Sequence, residues 1–198
     1  HIQDLLPDRP MLKAVEEFAV ECSLVKIFGS EVLGFVTDEA VQIHGGYGYH
    51  QDYAVERLYR DARIYRIFEG TNEINRLLAT GMLLKRSRAG RLKLPEDSLL
   101  NLVDESQQEV VAATTDVLMY TFALESADLR AEQANSEHMR DMVEVFREFA
   151  TTQIESAWRL VLAACGQKLP PFARPAVNCV PIRRRIAARL LDAGKYTV

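Results

Sequence analysis

The chain has 198 residues, 48% hydrophobic and 26% charged, a composition that excludes intrinsic disorder and supplies enough apolar side chains for one large or two small cores. Its net charge of −4 argues against a nucleic-acid partner, which calls for a basic surface. Cys22, Cys165 and Cys179 are odd in number and widely spaced, which fits neither a disulfide framework nor a paired-thiolate metal site and points to a reducing compartment. No run of about 18 apolar residues is present to span a bilayer. No basic-then-apolar leader opens the chain, and its start at His1 reads as a piece of something longer.

In chain order, Pro7 and Pro10 punctuate a short lead. Leu12, Val15, Phe18, Ala19, Cys22, Val25, Lys26, Gly29, Val32, Leu33, Val36 and Ala40 then recur at helical spacing, predicting one long helix that ends near Ile43. Gly45 and Gly46 follow where a left-handed cap is needed, and GGYGYHQDY reads as a loop. A second helix is expected from Ala54 to Ile67, with Val55, Leu58, Tyr59, Ala62 and Tyr65 on one face. Thr71 is a plausible N-cap for a third, which carries Ile74, Leu77, Leu78 and Met82 into Lys85.

KRSRAGRLKLP, with five basic residues, a glycine and a proline, has the composition of a linker. Beyond it, one helical stripe runs from Leu99 through Val110, Val117 and Phe122 to Leu124. Another runs from Met139 through Val143, Phe149 and Trp158 to Ala164. After GQKLPPFARP a last helix is expected over 182–191, flanked by arginines. No stretch shows strand alternation. The expected class is all-α, an antiparallel helical bundle over residues 1–90 followed by a second helical unit over 91–198.

Glu69 falls in the connection between the second and third helices. A carboxylate fixed between helix ends and backed by Ile67 and Phe68 could lose solvation and become a useful general base; a solvated surface glutamate is the ordinary alternative. Thr71, Asn72 and Glu73 open a helix whose first N–H groups lack partners, so a phosphate could bind there, with plain capping by Thr71 as the other reading. His44 and His50 have no third ligand in a recognisable pattern, and no metal site is expected. Trp158 reads as core.

Two blocks, AVQIHGGYGY and, about twenty residues on, VERLYRDARIYRIFEGTNEINRLL, together resemble the end of the C-terminal helical domain of the acyl-CoA dehydrogenase family. The resemblance covers about Leu12 to Lys85; the remainder is similar to the additional helical region of the long- and very-long-chain type. It implies a flavin-dependent oxidoreductase that dehydrogenates fatty acyl-CoA thioesters between C2 and C3, as in fatty-acid β-oxidation. Glu69 matches the base, with Phe68 in place of the more usual tyrosine, and Gly70 lies against the substrate thioester. Thr71, Asn72 and Glu73 are implied to contact FAD near its phosphates. Gln42, Ile43, His44, Gly45 and Gly46 match the loop that holds FAD from a neighbouring subunit, which implies a homodimer.

An electron-transferring flavoprotein is the implied acceptor, and the cytoplasm or mitochondrial matrix the implied compartment. The parts of the family fold that stack on the flavin are absent from these residues, so the chain by itself is expected neither to retain FAD nor to turn over. A rival reading is a non-catalytic dimerisation or membrane-docking module, in which Lys85, Arg86, Arg88, Arg91 and Lys93, interleaved with leucines, lie on an anionic surface. A solvated linker is the plainer account of the same run.

Overall fold

A computed structural model describes residues 16–168 and 177–195. The expected prolines 7 and 10, the first helical positions Leu12 and Val15, and most of GQKLPPFARP lie outside the described residues. Among those described, every regular element is a helix, and the chain divides into two compact units at Asn101 and Leu102.

The first unit contains α1 (Ala19–His44), a short 3₁₀ turn (Gly45–Tyr49), α2 (Ala54–Ile64) and α3 (Asn72–Arg88). Helix α1 is apolar on every side, the pattern of a helix meant to be covered all round. The unit buries one of its faces: Val20, Leu24, Ile27, Ser30 and Thr37 pack against Val55 and Ala62 of α2 and Ala79, Thr80 and Leu84 of α3. The stripe expected from the sequence is the opposite one. Phe18, Cys22, Val25, Gly29, Val32 and Val36 are exposed, while Ser23 and Ser30 lie on the buried face. Helices α1 and α3 run antiparallel: Arg86 donates to the carbonyls of Glu16 (2.5 Å) and Glu17 (2.7 Å), while Arg76 pairs with Glu31 at 2.7 Å.

The basic run is therefore partly structural. Lys85 to Arg88 form the last turn of α3, Arg86 holds the start of the chain's first described turn, and Arg91 pairs with Glu16 at 3.2 Å. Gly90 closes the helix at φ +69°. No described helix is long and apolar enough to cross a membrane.

In the second unit α4 (Gln108–Ala134) and α5 (Glu137–Ala164) form an antiparallel hairpin. The link is tight: Asn135 takes the left-handed conformation at φ +47°, and the Ser136 hydroxyl accepts from Met139 N, so one helix is stopped and the next started in two residues. Pairing follows the antiparallel register, with Tyr120 edge-on to Phe149 at 5.9 Å and Asp128 bonded to Arg147 at 2.5 Å. Val110, Val111, Val117, Met119, Val143, Ala150 and Val161 are buried between them. Trp158 is half-buried.

Helix α6 (Cys179–Ala193) is held to α5 by charge as well as by packing. Asp141 accepts from Arg185 at 2.5 and 3.1 Å and from Arg189 at 3.3 Å. The hydrogen bond from Arg185, and after burial's opposing effect the charges of Arg185, Arg189 and His138, hold the Asp141 carboxyl below the usual carboxylate range. A depressed carboxyl contributes its stability above the ordinary carboxylate value, about 3.9, and loses it as pH falls through the lower folded value. Asp141→Asn should therefore weaken α6 docking at neutral pH and remove the acid-side part of the transition below about pH 4. Because the Arg185 side chain is 50% exposed, deletion leaves no stranded cation, and the expected loss is about 1 kcal/mol rather than the several of a buried pair. Urea denaturation of mutant and parent at pH 7 and pH 3 checks it; equal stability at pH 7 would remove the clamp.

Candidate functional site

Helix α2 ends at Ile64, three residues before the expected boundary, and the chain turns over 65–71. The turn is built from both sides. Ile67 N and Phe68 N donate to Ile64 O at 2.8 and 3.1 Å, and Asn72 N reaches back to Arg66 O at 3.0 Å. Tyr65 and Phe68 stack edge to face at 5.1 Å. At its apex Glu69 has φ +54° and Gly70 φ +82°. Glycine takes that region freely, whereas a glutamate there is strained by roughly 1–2 kcal/mol. Glu69 is exposed, and no described residue donates a hydrogen bond or an ion pair to its carboxylate. Ile67 and Phe68, expected to dehydrate it, are themselves exposed, so the described residues present the carboxylate without covering it.

The start of α3 is capped from within the chain. The Thr71 hydroxyl accepts from Ile74 N at 3.2 Å and its carbonyl from Asn75 N at 2.9 Å. The Glu73 carboxylate takes its own backbone N–H first and the Thr71 hydroxyl second, and both hold it below the usual carboxylate range. With Asn72 N already bonded to Arg66 O, each of the first four N–H groups of the helix has a partner inside the chain, and none is free for a phosphate. Thr71 and Glu73 thus cap the helix.

Asn72 is the interior piece of the site. It is 2% exposed, and its amide spans α1 and α3: Oδ1 accepts from Lys26 Nζ at 2.8 Å, and Nδ2 donates to Ser30 Oγ at 2.9 Å and Glu31 Oε1 at 3.3 Å. A buried, fully bonded amide positions the turn above it. Lys26 also donates to Gly70 O at 2.7 Å, and Asn75 Nδ2 to the same carbonyl at 2.8 Å. A Cβ at Gly70 would approach Asn75 Nδ2 to 3.0 Å at a positive φ, so two independent reasons require glycine. The sequence signal for this network was a lysine inside an apolar helical stripe, Lys26 between Val25 and Ile27, which burial alone does not explain.

Gln42, Ile43, His44, Gly45 and Gly46 sit together where α1 passes into the 3₁₀ turn, and all five are exposed, Ile43 by 82%. His44 Nδ1 bonds to Ala40 O at 2.7 Å and Gly45 N to Gln42 O. Around Gly45 and Gly46 an added Cβ would meet nothing within 4 Å, so the backbone there is open to close approach from outside. The residues fit an extended polar cofactor at this end, on the ground of open backbone and an unbonded Gln42 amide. Gly48, two residues on, is instead wedged against α1.

A groove of about 1040 Å³ runs between α1, the 3₁₀ turn and α2, lined by Gly34, Asp38, Tyr49, His50, Arg63 and Arg66 among others. It takes in none of residues 42–46 or 69–73. Among the described residues no group of His, Cys, Asp and Glu could hold a metal ion.

The model of the family described as "Acyl-CoA dehydrogenase, C-terminal domain" matches residues 10–83, and a second model of the same description matches 101–168. A "Probable acyl-CoA dehydrogenase" of Bacillus subtilis (strain 168) is 34% identical, covering 99% of this chain and 43% of the relative. The mitochondrial "Very long-chain specific acyl-CoA dehydrogenase" of Homo sapiens is 52% identical over 67 residues, 34% of this chain and 10% of the relative. Among solved structures, an acyl-CoA dehydrogenase complexed with FAD from Bacillus anthracis superposes with a TM-score of 0.85 at 32% identity, over 94% of this chain and 41% of the other. The chain thus spans less than half the length of the relatives that match it throughout. Two family models in tandem, one relative aligned end to end and a close superposition agree with the geometry of the Glu69 turn: the chain belongs to the acyl-CoA dehydrogenase family.

Proposed function

We propose that this chain is the C-terminal portion of a flavin-dependent acyl-CoA dehydrogenase acting on fatty acyl-CoA thioesters, and that Glu69 is its base. The observation that carries the reading is Glu69 itself: a strained, exposed glutamate whose carboxylate no described residue claims, locked between two helices by backbone bonds on each side. Strain held in place by surrounding structure marks a functional position more often than a neutral one.

In the reaction the Glu69 carboxylate takes the proton from C2 of the thioester, the C2–H electron pair becomes the second bond between C2 and C3, and hydride leaves C3. FAD, when bound, supplies the hydride acceptor. Gly70, lacking Cβ, lets the thioester approach the turn closely, and Thr71 and Glu73 keep α3 intact at its first turn. Residues 42–46 are the part of this chain that would hold the cofactor. They belong to a different site from Glu69 of the same copy: between Ser30, where the Glu69 turn is anchored, and Gln42, α1 advances roughly 18 Å. That separation supports a homodimer in which the segment completes the neighbour's site. Long acyl chains, an electron-transferring flavoprotein as acceptor, and any peripheral membrane contact follow from likeness to the very-long-chain type.

Dehydration of Glu69 and the face of the acyl site come from outside the described residues, none of which covers the carboxylate. The isolated chain is accordingly expected to neither retain FAD through gel filtration nor bleach added flavin with an acyl-CoA, while the full-length protein does both under anaerobic conditions. Bleaching by the isolated chain at an enzymatic rate, or a full-length protein that acyl-CoA leaves oxidised, would overturn the reading.

A further inference from the structure

We infer that Lys26 is a positioning residue for the catalytic turn: its ammonium, held between Gly70 O and Asn72 Oδ1, fixes the Gly70–Thr71 peptide, one residue beyond Glu69, and so the placement of the base. The inference rests on Glu69 being that base. Two bonds define the lysine's role, 2.7 Å to Gly70 O and 2.8 Å to Asn72 Oδ1, and they reach from the middle of α1 across 44 and 46 residues of sequence. Asn72 is itself held by Ser30 and Glu31 of α1, and Glu31 by Arg76 of α3. The lysine side chain thus bonds both the buried centre of this network and the carbonyl of Gly70 in the strained turn.

The physical need is specific. A glutamate at φ +54° relaxes toward ordinary backbone unless its neighbours are pinned. On the N-terminal side Phe68 is pinned by its N–H to Ile64 O. On the C-terminal side the peptide carbonyl of Gly70 is pinned by Lys26 and Asn75. Gly70 is the most flexible residue in the turn, so its carbonyl is where restraint matters most. A charged donor makes the stronger of those two bonds. Since α1 also carries Gln42, Ile43 and His44 at its far end, the same rigid helix that exposes the cofactor-facing segment also sets the height of the catalytic turn in its own subunit. Misplacement of a base by about 1 Å costs on the order of a hundredfold in rate.

The test uses the full-length flavoprotein with Lys26→Met, which keeps the apolar stem and removes the donor, Lys26→Arg, which restores a charged donor, and Glu69→Gln in parallel. Expected for Lys26→Met are flavin retained, anaerobic flavin reduction slowed 10- to 100-fold with a smaller change in substrate affinity, and a larger isotope effect with substrate deuterated at C2. Amide exchange should be faster in peptides spanning 67–72 and not in α2, and Lys26→Arg should recover most of the rate. Flavin reduction within twofold of the parent while Glu69→Gln is inactive overturns the positioning role alone. A slowed Lys26→Met whose isotope effect and exchange match the parent does the same. Near-normal reduction by Glu69→Gln overturns the base assignment on which the inference stands. Should Lys26→Met lose its flavin, Asn75→Ala removes the other donor to the same carbonyl and is expected to show the same signature at lower amplitude; its absence overturns the inference.

Discussion

Glu69→Gln in the full-length protein is expected to slow flavin reduction by acyl-CoA about a thousandfold, in the middle of the 10²–10⁴ range for removing a positioned base, while leaving FAD bound and the fold unchanged. Glutamine keeps the shape of the side chain and its backbone preference, so the turn is preserved and only the proton acceptor is lost. The companion substitution separates chemistry from stability more sharply. Glu69→Gly should abolish flavin reduction and yet stabilise the protein by about 1 kcal/mol, because glycine accepts φ +54° without the penalty a glutamate carries there. A residue whose removal raises the melting temperature and removes the reaction is retained for the reaction. Stopped-flow reduction and thermal unfolding of the three proteins check both halves. Near-normal reduction by the glutamine variant would place the base elsewhere; a glycine variant less stable than the parent would show that the left-handed turn is not strained.

How far the residues alone could lead depends on what each feature answers to. The start of α3 was readable because capping is local: the Thr71 hydroxyl accepts the N–H three residues on, whereas α6 begins at Cys179 behind its Asn178 cap, three residues before the expected 182. The Glu69–Gly70 connection was readable for the same reason, a glycine flanked by helical patterns. What α1 buries was not readable. Its apolar residues go all the way round, so periodicity offers several faces of equal merit, and the one chosen by packing carries Ser23 and Ser30 instead of the larger Val25 and Val32. The interior role of Asn72 was hidden too. At a helix start an asparagine looks like one more polar surface residue, and only the arrival of Lys26, Ser30 and Glu31 from a helix over forty residues away makes it the centre of a network. The boundary of α2 fell short at Ile64, whose carbonyl is taken by Ile67 N and Phe68 N in the turn that leads to Glu69 and Gly70.

The second large effect is predicted at Gly48, where sequence reasoning saw only a turn glycine. Gly48 is buried, and a Cβ there would lie 2.6 Å from Val41 O, 2.8 Å from His44 Cβ and 3.0 Å from Val41 Cα. Two of those three atoms are backbone of α1 and cannot swing aside, so Gly48→Ala must lift the 3₁₀ turn off the helix, at a cost of about 3 kcal/mol by the usual measure of overpacking. For a unit of about 100 residues that is roughly 12 °C or more of melting temperature. Gly34→Ala is the control, and the numbers look worse for it at first: the nearest atom is at 2.1 Å. That atom is Arg66 Nη2, the far end of a flexible side chain beside an open groove. Arg66 can rotate away, and alanine in a helix is better than glycine by up to about 1 kcal/mol, so the net change should lie within about 0.5 kcal/mol of zero. Because the turn lifted by Gly48→Ala follows directly on Gln42 to Gly46, that variant should also lose FAD from the full-length protein, whereas Gly34→Ala should keep it. Differential scanning of the two variants, with flavin content measured alongside, decides: a tolerated alanine at 48, or flavin lost equally from both, would separate the turn from any hold on flavin through Gln42 to Gly46.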